Sequence, residues 1–221
     1  MDARVLGLLF NGELRDPGPV RPLLEAAAIV ALDGGLRHAR ALGVVPRLLI
    51  GDLDSVDPEL LAGYSGPVER YPRVKDETDG ELGIRHALAA GYDRVVMVAA
   101  FGDRWDHTLA NMALLLRLRR ASVQGIMTDG VTDAFLIDRS WEGEGPSGEI
   151  MSLISLTARS TGVTIRGLRY TGEELVIRRE GSLGISNEFT GARASISVRR
   201  GLLLAIRTRA AGAAAGGLAG M

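Results

Sequence analysis

The sequence predicts an α/β domain, a three-layer arrangement around a mostly parallel sheet, followed by an antiparallel β-sandwich. Three observations lead there. Short apolar runs alternate with helical patterns through the first part of the chain, the pattern changes to strands and glycine turns near Ser140, and acidic motifs close several of the early runs. Strands that alternate with helices build parallel sheets, and the ligands of such sheets gather at the carboxyl ends of the strands.

Taken in order, residues 5–10, 29–33, 48–52, 95–99 and 123–127 read as buried strands. After Thr78, the residues Ile84, Ala87 and Leu88 share one face of a helix, and after His107 the row Leu109, Met112, Ala113 and Leu116 is expected to be the buried face of another. His38 and His86 read as ordinary residues on helix surfaces. Residues 141–148 are rich in Gly, Glu and Pro, and from there short runs at 151–156, 163–168, 175–178, 194–198 and 202–206 are separated by glycine-containing turns. That grammar is an antiparallel sandwich with one wet face. The expected organisation is therefore one domain over 1–139, a second over 140–209, and an Ala/Gly-rich tail over 210–221.

Composition narrows the function. The chain has 221 residues, 46% of them hydrophobic, which suffices for two small cores. A net charge of −1 on 26 basic and 27 acidic residues offers no basic stripe for a phosphate backbone, so nucleic acid is not an expected partner. Cysteine is absent, which excludes disulfides, thiolate metal sites and cysteine nucleophiles and leaves oxygen or histidine to hold any metal. The first apolar run is too short for a signal segment, and no stretch reaches the roughly 18 apolar residues of a membrane helix. A cytoplasmic protein with no membrane partner is expected.

The chemistry lies in three acidic groups. The first is GDLDS, with Asp52, Asp54 and Ser55 directly after an apolar run. In an extended chain residues two apart share a face, so both carboxylates would point into the crevice at the strand end and repel each other unless a cation lay between them. Mg²⁺ takes one or two carboxylates plus substrate phosphates. The same residues also suit a turn that caps a helix before Pro58.

The second group, KDETD, sets Lys75, Asp76, Glu77, Thr78 and Asp79 before a helical pattern that Thr78 or Asp79 can cap. Lys75 is the chain's only lysine, every other basic residue being arginine. An ammonium binds phosphate as a compact point charge without the fixed fork of a guanidinium, a physical reason to keep lysine there. The third group is GDRWDH, residues 102–107, followed by Asn111. Arg104, lying between acids, can clamp phosphate; Asp106 reads as a simple helix cap. His107 suits a hydrogen bond at the helix start better than a general base. Asn11–Gly12 and Asp33–Gly34–Gly35 supply backbone that can approach phosphate or ribose closely. No GxxxxGK[ST] motif occurs, so the chain is not an ordinary P-loop kinase.

In order, DGG (33–35), Gly43 to Pro46, GDLDS, KDETD, GDRWDH with Asn111, GLRY (167–170) and GISNEF (184–189) make a chain that resembles the thiamine pyrophosphokinase family over nearly its whole length. The resemblance implies an N-terminal α/β domain for ATP and Mg²⁺, a C-terminal β-sandwich, and a homodimer with thiamine bound between subunits. It implies metal-linked roles for Asp52, Asp54 and Asp79, and contacts to ATP phosphates for Lys75 and Arg104, with Asp106 orienting their loop. It gives Tyr170 the packing against thiamine, and Ser186 and Asn187 the polar contacts near its ring. The implied reaction moves pyrophosphate from ATP to the hydroxyl of thiamine. Two departures stand out. Asp103 replaces a usual glycine, and Arg37 and Arg47 stand where neutral or acidic residues are common.

Two rivals remain in view. A pyrophosphokinase for another hydroxymethyl acceptor, such as a pterin, is disfavoured by GLRY and GISNEF; a non-catalytic thiamine or nucleotide sensor is disfavoured by the retained acids.

Overall fold

The computed structural model describes residues 3–102, 104–191 and 193–209; Asp103 and the expected tail over 210–221 lie outside them. The chain divides into two compact units, the first ending at Gly130 and the second beginning at Val131.

In the first unit the strands are β1 (Val5–Leu9), β2 (Ala28–Leu32), β3 (Leu48–Gly51), β4 (Val68–Arg70), β5 (Arg94–Val98) and β6 (Gln124–Thr128). They pair in the order β6-β5-β1-β2-β3-β4, and every pairing is parallel. The helices are α1 (His38–Leu42), α2 (Pro58–Gly63), α3 (Asp79–Ala89) and α4 (Trp105–Arg120). Strand alternation sends their apolar faces to opposite sides. A Cβ on Gly83 of α3 would collide with Leu32 and approach Leu8, and Leu115 and Leu118 of α4 lie against Gly125 in the same way. On the other face Ala31 and Leu49 pack with Leu36, Val56 and Leu61. The sheet is thus covered on both sides, and a fully buried side chain such as Leu8 contributes roughly 1.5–3 kcal/mol relative to exposure.

One helix face differs from the sequence expectation. The residues of α4 that are buried are Thr108, Leu114, Leu115 and Leu118, whereas Leu109 is 61% exposed. Apolar residues run around much of this helix, so their spacing alone does not choose a side. The glycines opposite the helix do: Leu115 and Leu118 lie against Gly125, and Leu114 lies against Gly80.

The second unit contains β7 (Thr132–Ile137), β8 (Ser140–Glu144), β9 (Ile150–Ser155), β10 (Arg159–Arg166), β11 (Gly172–Arg178), β12 (Asn187–Glu188), β13 (Arg193–Ser197) and β14 (Leu203–Thr208). They form two antiparallel groups, β12-β9-β14-β7 and β11-β10-β13-β8. The compact division comes before the change of sequence grammar at Ser140, because β7 pairs along its length with β14. Inside this unit Arg207 and Glu149 are both fully buried and ion-paired at 2.5 Å, with the guanidinium 5.1 Å from the centre of the Phe189 ring. Arg209 and Asp133 form a second buried pair, also at 2.5 Å.

Candidate active site

The carboxyl ends of β1, β2, β3 and β5 open into one cleft of about 780 Å³. Each strand delivers its chemistry through the loop that follows it.

After β2 the chain turns at Asp33, which holds a left-handed conformation (φ 47°) and is 5% exposed. Its buried Oδ1 has no hydrogen-bond partner. After β3, Leu53 is also left-handed (φ 70°), and the Asp54 N–H donates to Asp52 Oδ1 at 3.0 Å. Asp52 and Asp54 are therefore brought together by a tight turn and not by the extended chain that the sequence suggested. Oxygens of Asp33, Asp52 and Asp54 all lie within 4.8 Å of one another. Carboxylates that close repel unless a cation joins them, and such a hard-oxygen set, one of whose carboxylates has a buried and unpartnered oxygen, fits a divalent ion such as Mg²⁺.

Beside them Lys75 Nζ lies 3.1 Å from Asp79 Oδ1 and 3.9 Å from Asp52 Oδ2. Burial raises the pKa of Asp79, against the opposing pull of Lys75 and with help from the charges of Asp33 and Asp52. Thr78 caps α3 in a reciprocal arrangement: its hydroxyl accepts from the Glu81 N–H, and the Glu81 carboxylate accepts from the Thr78 N–H. The cap belongs to Thr78, which leaves the Asp79 carboxylate to face the cleft.

After β5, Arg104 precedes the first residue of α4 and donates to both oxygens of Asp106, Nε at 3.0 Å and Nη2 at 2.6 Å. The fork holds the Asp106 carboxyl well below the usual carboxylate range. Asp106 is thereby a partner of Arg104 in the first turn, and its position is not the helix cap. Asn111 Nδ2 donates to the Ala100 carbonyl at 2.9 Å, tying α4 to the loop.

The loop after β1 fits only because residue 12 is glycine: a Cβ there would lie 1.9 Å from the Phe101 carbonyl oxygen. Arg37 donates to the Asn11 side chain and to the carbonyls of Asn11 (2.8 Å) and Gly12 (2.7 Å). His38, expected on a helix surface, is in fact 8% exposed, and its Nε2–H donates to the Gly12 carbonyl at 3.0 Å. Burial, followed by the neighbouring Arg37 charge, lowers its pKa. Neither residue was singled out as a site residue in the sequence. Arg37 carried a faint signal as a departure from the family pattern; His38 carried none.

In the second unit Tyr170 is 64% exposed, which removes it from the sandwich core. Asn187 is 3% exposed and hydrogen-bonds through its carboxamide to the Tyr170 backbone. Ser186 is left-handed (φ 55°), with its N–H donating to Ser152 Oγ at 3.0 Å.

Two family models match the chain: "Thiamin pyrophosphokinase, catalytic domain" over residues 21–127 and "Thiamin pyrophosphokinase, vitamin B1 binding domain" over 141–203, together well over half its length. The chain belongs to the thiamin pyrophosphokinase family. A curated thiamine pyrophosphokinase of Bacillus subtilis (strain 168) is 24% identical over 192 residues, covering 81% of this chain and 86% of that protein. The crystal structure of thiamine pyrophosphokinase from Bacillus subtilis superposes with a TM-score of 0.84 at 21% identity, covering 94% of this chain and 100% of the other, and shows the fold to be the same. A tryptophan synthase alpha chain of Albidiferax ferrireducens is 34% identical over 98 residues, but covers 44% of this chain and 34% of its own. That match is too partial to assign a family. The thiamin pyrophosphokinase catalytic model spans the loops bearing Asp33, Asp52, Asp54, Lys75, Asp79, Arg104 and Asp106, and the vitamin B1 model spans Tyr170, Ser186 and Asn187.

Proposed function

We propose that this chain transfers the pyrophosphoryl group of ATP to the hydroxyl of thiamine, giving thiamine diphosphate and AMP. The observation that carries the reading is the grouping of Asp33, Asp52 and Asp54 beside Lys75 and Asp79 at the strand ends of a thiamin pyrophosphokinase fold. Asp33, Asp52 and Asp54 would hold Mg²⁺, and Asp79 keeps the metal-linked role that the resemblance implies. When bound, the ion neutralises the negative charge on the phosphate oxygens.

Lys75 adds a compact charge on the same side, and Arg104, held flat by Asp106, presents its remaining guanidinium donors to phosphate. Asn11–Gly12 and Gly34–Gly35 let backbone approach the nucleotide. The thiamine hydroxyl oxygen attacks the β-phosphorus as the bond from that phosphorus to the α,β-bridging oxygen breaks; the hydroxyl proton passes to solvent and AMP leaves with the bridging oxygen. Chemistry of this kind depends on positioning and charge neutralisation more than on covalent participation by the protein. Tyr170 offers an exposed aromatic face to a cationic ring, and Ser186 lies on the neighbouring turn.

We further infer a homodimer, in which the Tyr170 surface of one subunit serves the carboxylate cleft of another, and a cytoplasmic location. The exposure of Tyr170 supports the first; the second is in keeping with the lack, among the described residues, of any helix long and apolar enough to cross a membrane. The decisive experiment is product analysis with ATP, Mg²⁺ and thiamine. AMP and thiamine diphosphate in equal amounts are expected. ADP with thiamine monophosphate would reject pyrophosphoryl transfer, AMP formed only with a pterin would reject the acceptor, and binding without turnover would indicate a sensor.

A further inference from the structure

We propose that Asn187 is a positioning residue that sets the Tyr170 ring through the backbone of that residue. The inference rests on the reading of Tyr170 as the aromatic that faces thiamine. Asn187 is 3% exposed, and its carboxamide oxygen accepts from the N–H of Tyr170 at 2.9 Å and from its neighbour Glu188 at 2.9 Å. Its amide nitrogen donates to the Tyr170 carbonyl at 2.7 Å. Both acceptor positions of the oxygen are thus occupied, and one of the two amide hydrogens is used.

The side chain imitates a strand partner. Next to it, the Arg169 N–H donates to the Glu188 carbonyl at 2.7 Å and Leu168 bridges to Phe189, so main-chain pairing runs up to Tyr170. At Tyr170 the pairing is continued by the Asn187 carboxamide, which satisfies both the N–H and the C=O of that one residue. The backbone of Tyr170 is pinned while its ring stays exposed. Asn187 is itself held by antiparallel pairing with Met151, and the turn before it is anchored by Ser186 on Ser152.

The test is a double-mutant cycle in the full chain, reading KM for thiamine, KM for ATP, kcat and Tm. Tyr170→Ala should raise KM for thiamine about 2- to 30-fold, the range of a cation–π contact. Asn187→Ala should raise KM for thiamine within that range while KM for ATP moves less than about twofold. Tyr170→Ala with Asn187→Ala should be no worse than Tyr170→Ala alone, because displacing a ring that is already gone costs nothing. Multiplicative increases would overturn the proposal, since Asn187 would then act on thiamine by a route of its own. A lowered Tm with KM for thiamine unchanged would also overturn it, leaving only a structural role. If Tyr170→Ala alone does not change KM for thiamine, the proposal falls with its base, and that failure is recognisable by the single variant. Should Asn187→Ala not fold, Asn187→Asp, which keeps the acceptor but loses the donor to the Tyr170 carbonyl, is carried through the same cycle with the same criteria.

Discussion

The cleft of the first unit and the interior of the second both bring basic side chains and carboxylates together, yet they treat charge in opposite ways. Arg207 and Glu149 are wholly buried, paired at 2.5 Å and capped by the Phe189 ring. Lys75, Asp52 and Asp79 keep side-chain exposures of 15%, 14% and 28%, and Arg104 and Asp106 are largely exposed. A sealed pair has no capacity for a ligand; a half-open one can exchange partners when a ligand arrives. Exposure at a strand end, more than charge itself, separates chemistry from architecture in this chain.

The largest effect that tests this contrast is on turnover. Asp54→Asn removes charge at constant size from a half-open carboxylate, and Mg²⁺-dependent turnover should fall by about 100-fold or more with Tm nearly unchanged. Near-normal turnover at limiting Mg²⁺ would place Asp54 outside the metal set. The counterpart in the sealed region is Arg207→Met, which strands a buried Glu149 and should cost about 3–5 kcal/mol in urea unfolding. Combining it with Glu149→Leu should restore most of that loss. A stable Arg207→Met protein with damaged turnover would invert the contrast between the two regions.

Next in size is Lys75→Arg, which keeps the charge but replaces a compact ammonium by a planar fork between Asp79 and Asp52. A loss of about tenfold in kcat/KM is expected. Unchanged values for both ATP and thiamine would make Lys75 a surface lysine that chance preserved.

Much of this architecture was readable from residue order. The strand–helix alternation announces a parallel sheet, and the acidic motifs fall at its strand ends, because period and turn chemistry are local properties. The details that escaped are those set by distant neighbours. Leu109 and Leu115 are equally apolar, and it is Leu115 that meets the space at Gly125, beyond the helix. Asp52 and Asp54 meet through a left-handed Leu53, a conformation that the leucine side chain does not advertise. Asp33 was read as part of a backbone approach, and its orphaned oxygen becomes visible only where β2 and β3 end together. His38 was hidden for the same reason, since its partner at Gly12 belongs to the loop after β1.

The smallest predicted effect concerns that histidine and asks whether the cleft also contains a sealed group. Burial lowers the His38 pKa below the 6.5 of a free histidine, with Arg37 adding to the shift. The unfolded chain therefore binds the proton more readily than the folded one. The neutral ring contributes its full stability above about pH 6.5, and that contribution is lost as pH falls through the lower folded value. Wild-type Tm should accordingly drop between pH 7 and pH 5 by more than that of His38→Gln, whose amide can still donate to the Gly12 carbonyl but does not titrate. At pH 8 the two proteins should melt within a few degrees of each other. If the acid drop is identical in both, His38 is not the group that titrates, and the link between the β1 loop and α1 rests on the Arg37 hydrogen bonds to Asn11 and Gly12 instead.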